Sequence, residues 1–187
     1  MDKMIVGKNA PIYGRVPAIV LANPKFPHNV GTCQRACSCF GVSQLWWTGN
    51  RVSLDIEKGE RLPREERMRG YKDVQLINYD KPFDQFPKGT VPVAIEVRQN
   101  SEHLTTFEHP ENAVYVFGPE DGSIPSVFLG FCHRFVIVPT KHCLNLAATV
   151  NIVLYDRMMK RGESFHIGNE EQRVWAEPDV NDCFLKG

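Results

Sequence analysis

Short runs of consecutive apolar residues, separated by helical patterns, constrain the fold of this chain more than any other feature. The first run, at residues 17–22, contains Ala-Ile-Val-Leu without a polar interruption. Such continuity is typical of a parallel strand that helices cover on both faces. Further strands are predicted at residues 42–47, 74–78, 91–97, 113–117 and 135–138. Because helical segments alternate with these strands, we predict an α/β fold with an open, mainly parallel sheet and helices on both faces.

Two long helices are predicted from apolar spacing and from the residues at their ends. The first begins near Asn29 and ends at Gly41, and its apolar stripe consists of Val30, Cys33, Cys37 and Phe40. The second begins near Asn145 and ends before Gly162. Both asparagines are of a type that caps helix N-termini. Shorter helical segments are predicted at residues 63–69, 83–86 and 126–130, and residues 1–16 are predicted to be an irregular arm.

Length and composition favour one globular domain. Of the 187 residues, 42% are hydrophobic and 24% are charged, which is ordinary for a soluble protein with a proper core. No apolar run approaches the length of a membrane span, and the N-terminal residues lack the pattern of a signal peptide. The six cysteines show no regular framework, so we predict reduced thiols. These features together predict a cytoplasmic protein.

Charge is distributed unevenly although the formal net charge is zero. Residues 51–72 contain seven basic and five acidic residues, whereas residues 162–187 contain six acidic and two basic residues. The basic segment suits contact with phosphates. The alternative is a solvated helix of mixed charge, and the segment alone does not separate the two.

Glycine, proline and asparagine are concentrated in three blocks, each beside a predicted strand end or helix start. The blocks are residues 29–41, 117–125 and 138–145. Ligand sites of open α/β sheets lie at the carboxyl ends of strands, so the blocks predict one composite site with Arg35 and Glu120 as its charged members. Two interpretations stay open: an ordinary surface ion pair, or a cleft arginine that a carboxylate holds ready for a phosphate or a sugar.

Several common catalytic patterns are absent from the chain. It contains no Gly-x-Gly-x-x-Gly, no Walker Gly-Lys-Ser/Thr, no His-Glu-x-x-His and no Gly-x-Ser-x-Gly. Cys33 and Cys37 share the apolar stripe and lack histidine partners, so we predict no metal site. His142 and Cys143 are adjacent, but no acid is available to orient a nucleophile pair.

In their order and separation the three blocks resemble the motifs of the SpoU (TrmH-type) branch of the SPOUT RNA methyltransferases. Asn-x-Gly-x3-Arg-x4-Phe-Gly at residues 29–41 resembles motif 1. Phe-Gly-Pro-Glu-Asp-Gly-Ser-Ile-Pro at residues 117–125 resembles motif 2. Ile-Val-Pro at residues 137–139, with Leu-Asn-Leu-Ala at residues 144–147, resembles motif 3. The resemblance covers about residues 17–160.

The resemblance implies an S-adenosylmethionine-dependent enzyme that methylates a ribose 2′-hydroxyl in tRNA or rRNA. It implies one catalytic domain at residues 1–161, with a deep trefoil knot at about residues 113–161, followed by an acidic extension at residues 162–187. It also implies a homodimer in which the first and last helices meet the partner and complete the active site. Family members without a separate RNA-binding domain often act on the tRNA anticodon loop, which favours a wobble ribose.

Roles for individual residues also follow from the resemblance. Arg35 is the expected catalytic arginine, Glu120 and Asn145 shape its pocket, and Asn29 supports the first helix. Whether Arg35 acts as a base or orients the ribose and stabilises the alkoxide stays open. The expected cofactor residues are Ile95, Glu96, Gly118, Ile137, Val138, Cys143 and Leu144. The expected RNA-contacting residues are Arg35, Arg64, Arg67 and Arg69.

Three residues depart from the family pattern. Cys143 stands where motif 3 usually has serine, and Glu96 and Arg98 stand where small residues and threonine are more usual. A thiol is a weak hydrogen-bonding group, so the first departure leaves room for a catalytically silent RNA-binding dimer. A third alternative keeps the fold and methylates a base nitrogen.

Overall fold

The structure, a computed structural model, describes residues 13–52 and 73–163 and the backbone of residues 4–6. Its strands are β1 (Met4–Val6), β2 (Ala18–Leu21), β3 (Gln44–Trp47), β4 (Gln75–Asn78), β5 (Val91–Ile95), β6 (Glu102–His103), β7 (Ala113–Phe117) and β8 (Arg134–Ile137). They form one sheet in the order β1-β4-β3-β2-β7-β5-β8-β6.

Every pairing between the described strands is parallel. In the centre of the sheet, Ile19 of β2 lies between Leu45 of β3 and Tyr115 of β7. All residues of these three strands are buried. Burial on both faces explains the uninterrupted apolar runs, and the prediction of a parallel α/β sheet is confirmed.

Helices cover both faces of the sheet. They are α1 (Pro27–Cys39), α2 (Ser126–Leu129) and α3 (Leu146–Lys160). Ile19 packs in one apolar cluster with Val30 of α1 and Val150 of α3, whereas its neighbour Val20 packs in the other with Phe128 of α2. Because successive side chains of a strand point to opposite faces, β2 contributes to both clusters, and α1 and α3 share one face.

Three of the four predicted ends of the two long helices are confirmed: the end of α1 and both ends of α3. α1 begins at Pro27 after Phe26, so the prediction of Asn29 as an N-cap was wrong. Proline suits the first helical position because its missing N–H is not needed there. Gly41 ends α1 with a φ of 71°, a left-handed conformation that glycine adopts at little cost. Asn145 caps α3 through its side-chain oxygen, as predicted.

The two edge strands of the sheet were not predicted. β1 lies within the segment that was expected to be irregular and pairs with β4, while β6 has two residues and pairs with β8. Strands this short do not show the alternation from which a strand is recognised. The predicted helical turn near residue 83 is a 3-10 turn at Pro82–Gln85.

Some predictions fall on other parts of the chain. The expected helix at residues 63–69 and the extension beyond residue 163 lie outside the described residues, and the knot and the domain boundary stay predictions. Within the described segments, no helix is both long and apolar enough to cross a bilayer. The five cysteines in those segments form no disulfide, which agrees with the prediction of free thiols.

Candidate active site

Four loops that follow parallel strands meet at the carboxyl edge of the sheet. Lys25 and Phe26, after β2, donate backbone hydrogen bonds to Glu120, which follows β7. Ile124, farther along the loop after β7, donates a backbone hydrogen bond of 2.9 Å to Glu96, which follows β5. The loop after β8 leads into α3. The first two sequence blocks therefore meet at one edge, as predicted.

Glu120 fixes the segment that enters α1. Its Oε2 accepts from the Lys25 N–H at 2.7 Å, and its Oε1 accepts from the Phe26 N–H at 3.4 Å and from the Asn29 amide at 2.5 Å. Partial burial alone would raise the pKa of Glu120, but hydrogen bonds from Asn29 and from these backbone groups lower the pKa below its usual value. Glu120 therefore stays ionised and acts as an acceptor.

Asn29 connects the first sequence block to the third. It is 3% exposed, and its Oδ1 accepts a hydrogen bond of 3.2 Å from the Asn145 side chain. The Asn145 Oδ1 in turn accepts from the N–H groups of Ala147 at 2.9 Å and Ala148 at 3.3 Å, which caps α3. A continuous series of hydrogen bonds thus runs from Glu120 through Asn29 and Asn145 into α3.

Arg35 is exposed on α1. No ion pair joins Arg35 to Glu120 among the described residues, so neither a surface ion pair nor a carboxylate that holds the arginine, the two interpretations left open, is found there. Glu120 is occupied at the first turn of α1 by Asn29, and Arg35 lies six positions farther, about 9 Å along a helix. No other partner of Arg35 is found in the described residues.

An ion-pair cluster at the rim of this edge was not predicted. Asp121 accepts two hydrogen bonds from the Arg51 guanidinium, at 2.9 and 2.8 Å. Lys25 Nζ lies 3.2 Å from the same carboxylate. Hydrogen bonds from Arg51 and Lys25 lower the pKa of Asp121 to about 2. The only signal in the sequence is an acid beside Glu120, which does not identify a basic partner seventy positions away.

A cleft of about 150 Å³ opens between the loops that follow β5 and β8. Six of the seven expected cofactor residues line it: Ile95, Glu96, Ile137, Val138, Cys143 and Leu144. The sequence did not identify the remaining lining residues, which are Val97, Val136, Thr140 and Thr149. Glu96 is the one charged residue of this lining.

Gly118, the seventh expected residue, lies beside the cleft lining rather than in it. A Cβ added at this position would meet the Ile124 nitrogen at 3.0 Å and the Ser123 carbonyl carbon at 3.2 Å. The loop after β7 therefore folds back on its own start, and glycine permits that close approach. Arg64, Arg67 and Arg69 lie outside the described residues. Among the residues that are described, no group of metal-binding side chains occurs.

The sequence profile of the SpoU rRNA methylase family matches residues 17–155. The chain belongs to this family. The matched part of the SpoU methylase runs from the residue before β2 into α3, so it includes all four loops at the candidate site. The predicted family is confirmed. A search against curated proteins found no relative of this sequence.

Solved structures with the same fold support this placement. The SpoU methyltransferase AviRb from Streptomyces viridochromogenes, in complex with S-adenosylmethionine, is 15% identical with a TM-score of 0.65, over 82% of this chain and 64% of that one. A structure that concerns the 2-OH methylation of C/U34 on tRNA is 21% identical with a TM-score of 0.66, over 79% of this chain and 97% of that one. The A. aeolicus TrmH/SpoU tRNA modifying enzyme is 21% identical with a TM-score of 0.64, over 84% and 83%.

These comparisons confirm the predicted SPOUT-type fold of the SpoU methylase. The cofactor in the Streptomyces complex is the one that the sequence motifs imply. The chain spans less than two thirds of the AviRb chain, whereas it spans nearly the whole of the structure concerned with tRNA.

Proposed function

We propose that this SpoU methylase transfers the methyl group of S-adenosylmethionine to the 2′-hydroxyl of a ribose in tRNA. The observation that carries the proposal is the hydrogen-bonded series Glu120–Asn29–Asn145, which ties all three sequence blocks together at one sheet edge. This series holds α1, and with it Arg35, in a fixed relation to the cleft that begins at Ile95. A methyl donor and an RNA ribose need such a common edge.

The residues of the cleft fit S-adenosylmethionine. Ile95, Ile137 and Leu144 give apolar walls suited to an adenine ring. Each oxygen of the Glu96 carboxylate accepts one backbone hydrogen bond, from Val97 at 3.2 Å and from Ile124 at 2.9 Å, so each has further acceptor capacity for a hydroxyl or an ammonium group. When bound, the cofactor supplies an electrophilic methyl group on a positively charged sulfur.

Arg35 is the residue of this site best suited to act on the ribose. A guanidinium donates several hydrogen bonds in a fixed fork and rarely loses its proton. We therefore assign it to orienting the nucleotide and stabilising negative charge that develops on the 2′-oxygen. Glu120 bonds Asn29 rather than Arg35, so this carboxylate does not compete with the RNA for the guanidinium.

The choice of tRNA rests on the match in length and fold to the structure concerned with C/U34, of which this chain spans 97%. Position 34 is the wobble position, which the sequence resemblance also favours. A ribose target also fits an exposed arginine better than a base nitrogen does, since the 2′-hydroxyl and the adjacent phosphate lie together on the RNA backbone.

We further propose that the protein acts as a homodimer through an apolar stripe on α3. Ile152, Tyr155 and Met159 are 37%, 53% and 58% exposed, and their spacing places them on one side of the helix. Tyr155 also meets Phe40, next to the end of α1, edge to face at 6.4 Å. A second copy would cover these residues and bring its own surface to the rim near Arg35.

The test is methyl transfer from labelled S-adenosylmethionine to unmodified bulk tRNA, and separately to rRNA, followed by nucleoside mass analysis. We expect a 2′-O-methylated pyrimidine from tRNA. A methylated base would overturn the ribose assignment. Binding of S-adenosylmethionine without transfer to either RNA would favour the silent RNA-binding dimer.

Light scattering of the wild-type protein and of Tyr155→Glu tests the proposed dimer. We expect the mass of a dimer for wild type and a lower mass for the variant. An unchanged mass for the variant would reject this interface.

A further inference from the structure

An exposed aromatic stack stands at the start of α1, next to the site but outside its hydrogen-bonded series. The rings of Phe26 and His28 lie 5.3 Å apart at an interplanar angle of 23°. Phe26 is 40% exposed, and His28 is also exposed. The Lys25 ammonium lies 5.3 Å from the centre of the Phe26 ring. An exposed apolar ring beside an ammonium group and an exposed imidazole contributes little to the packing of the protein.

The backbone beneath this stack is held rigidly. Glu120 accepts hydrogen bonds from the N–H groups of both Lys25 and Phe26, and Pro27 fixes the next φ angle. The Thr32 hydroxyl donates to the His28 carbonyl at 2.9 Å. The aromatic rings are therefore presented in one arrangement, which reduces the entropy that a ligand must overcome on binding.

The stack is aligned with Arg35. His28 and Arg35 are seven positions apart on α1, which places them on the same side of the helix and about 10 Å apart along its axis. Lys25 lies beside the Phe26 ring and shares the Asp121 carboxylate with Arg51, so a second basic side chain lies close to Lys25. Aromatic faces next to basic side chains are the combination by which proteins hold unstacked bases of single-stranded RNA.

We propose that Phe26 and His28 form a stacking platform for a nucleobase of single-stranded RNA that neighbours the target nucleotide, with Lys25 facing its phosphate. This inference rests on the proposed function in taking RNA as the substrate. The platform binds any base, because every base has a flat π face. It holds the RNA backbone so that the target ribose reaches Arg35.

The experiment measures the affinity of a fluorescent ten-nucleotide single-stranded RNA by anisotropy, with a matched RNA in which the central riboses lack bases. The variants are Phe26→Leu, which keeps apolar volume without a π face, and His28→Ala. The matched control is Phe131→Leu, since Phe131 is 46% exposed and stacks on Phe83 at 4.8 Å and 23°. Phe83 belongs to the apolar cluster on the sheet face opposite α1.

We expect each platform variant to bind the complete RNA roughly 5- to 100-fold more weakly, and the abasic RNA with less than about twofold change. Stacking is not electrostatic, so the salt dependence should stay unchanged, whereas Lys25→Ala should reduce the slope of log K against log salt by about 0.7. Equal losses on both RNAs would show a distorted loop and overturn the platform. Losses of affinity no larger than that of Phe131→Leu would also overturn the platform. The absence of RNA binding by the wild-type protein would do the same.

The two proposals fail in different ways. If the protein distinguishes complete from abasic RNA through Phe26 but transfers no methyl group, the proposed function is wrong and the platform stands. If tRNA is methylated while Phe26→Leu and His28→Ala behave like the Phe131→Leu control, the platform is wrong and the proposed function stands.

Discussion

The side-chain amide of Asn29 donates a hydrogen bond of 2.5 Å to Glu120, which lies 91 positions later in the chain. The carboxylate uses both oxygens in this way, for one side chain and two backbone N–H groups. Its function in the fold is to hold the start of α1 against the loop after β7. At the candidate site it contacts Asn29, and no ion pair joins it to Arg35 within the described residues.

Glu120→Gln should lower both stability and activity. The glutamine keeps one acceptor oxygen and places an NH₂ group against a donor, which costs about 1–3 kcal/mol for the unsatisfied group. Urea unfolding followed by circular dichroism measures the change. Because the pKa of Glu120 is lowered by folding, its ionisation stabilises the protein above the usual glutamate pKa, and this stabilisation disappears as pH falls through the lowered value. The difference in the free energy of unfolding between wild type and Glu120→Gln should therefore decrease below about pH 4.5. A difference that does not depend on pH would contradict this account.

Arg35→Ala should abolish most methyl transfer without destabilising the protein. Arg35 is exposed and has no partner in the described part of the chain, so the free energy of unfolding should change by less than about 0.5 kcal/mol. Loss of a group that stabilises developing charge lowers kcat by roughly 100- to 1,000-fold. Arg15→Ala is the matched control, because Arg15 is exposed and precedes β2, at the opposite edge of the sheet. Wild-type turnover by Arg35→Ala would remove Arg35 from the mechanism.

Glu96→Gln should weaken binding of the methyl donor and of its product to a similar extent, because both carry the hydroxyl and ammonium groups that the carboxylate is proposed to accept. The glutamine oxygen can still accept the Ile124 hydrogen bond, and the Val97 N–H that loses its acceptor is exposed, so the loop stays in place while the negative charge is lost. Calorimetry should give about fivefold weaker binding of S-adenosylmethionine, since hydrogen bonds to charged groups exceed neutral ones by about 1 kcal/mol. Binding of S-adenosylhomocysteine, which carries the same hydroxyl and ammonium groups, should weaken by a similar factor. Unchanged binding of both ligands would show that Glu96 only supports the loop.

Charge reversal at Arg64 and Arg67 should weaken RNA binding and reduce its salt sensitivity. Each lost phosphate contact lowers the slope of log K against log salt by about 0.7 on single strands and about 0.9 on a duplex. Filter binding at several salt concentrations measures both quantities. An unchanged affinity and slope would favour the alternative that residues 51–72 form a solvated helix of mixed charge.

His109 should make stability depend on pH near neutrality. Its side chain has no solvent exposure and bonds Tyr115 at 2.6 Å and Asp156 at 2.8 Å. Burial lowers the pKa of His109 below its usual value of about 6.5, although Asp156 opposes the shift. The unfolded chain therefore binds a proton first as pH falls below about 6.5, and the free energy of unfolding should decrease there. His109→Gln, which can bond both neighbours, should lose this dependence between pH 5 and 7. An identical pH profile for the two proteins would contradict the assignment.

The sequence revealed the central strands, the long helices and the composite site because each depends on a local pattern. Uninterrupted apolar runs predicted β2, β3 and β7, and the position of Gly41 predicted the end of α1. The misses have a common physical cause. β1 and β6 are too short for a pattern, and the choice of Asn29 rather than Arg35 as the partner of Glu120 depends on where separate loops meet. The pair of Asp121 and Arg51 likewise could not be predicted from a local pattern, because the two residues are 70 positions apart.

Asn29 and Asn145 are 116 positions apart in the sequence, which has a consequence for the synthesis of this protein. A ribosome adds about 5–20 residues per second, so Asn29 is added to the chain roughly 6–23 seconds before Asn145. A nascent chain that already contains Arg35 and the first strands still lacks α3 and the side of the cleft that Cys143 and Leu144 line. The candidate site can therefore be completed only after Asn145 and α3 have been synthesised.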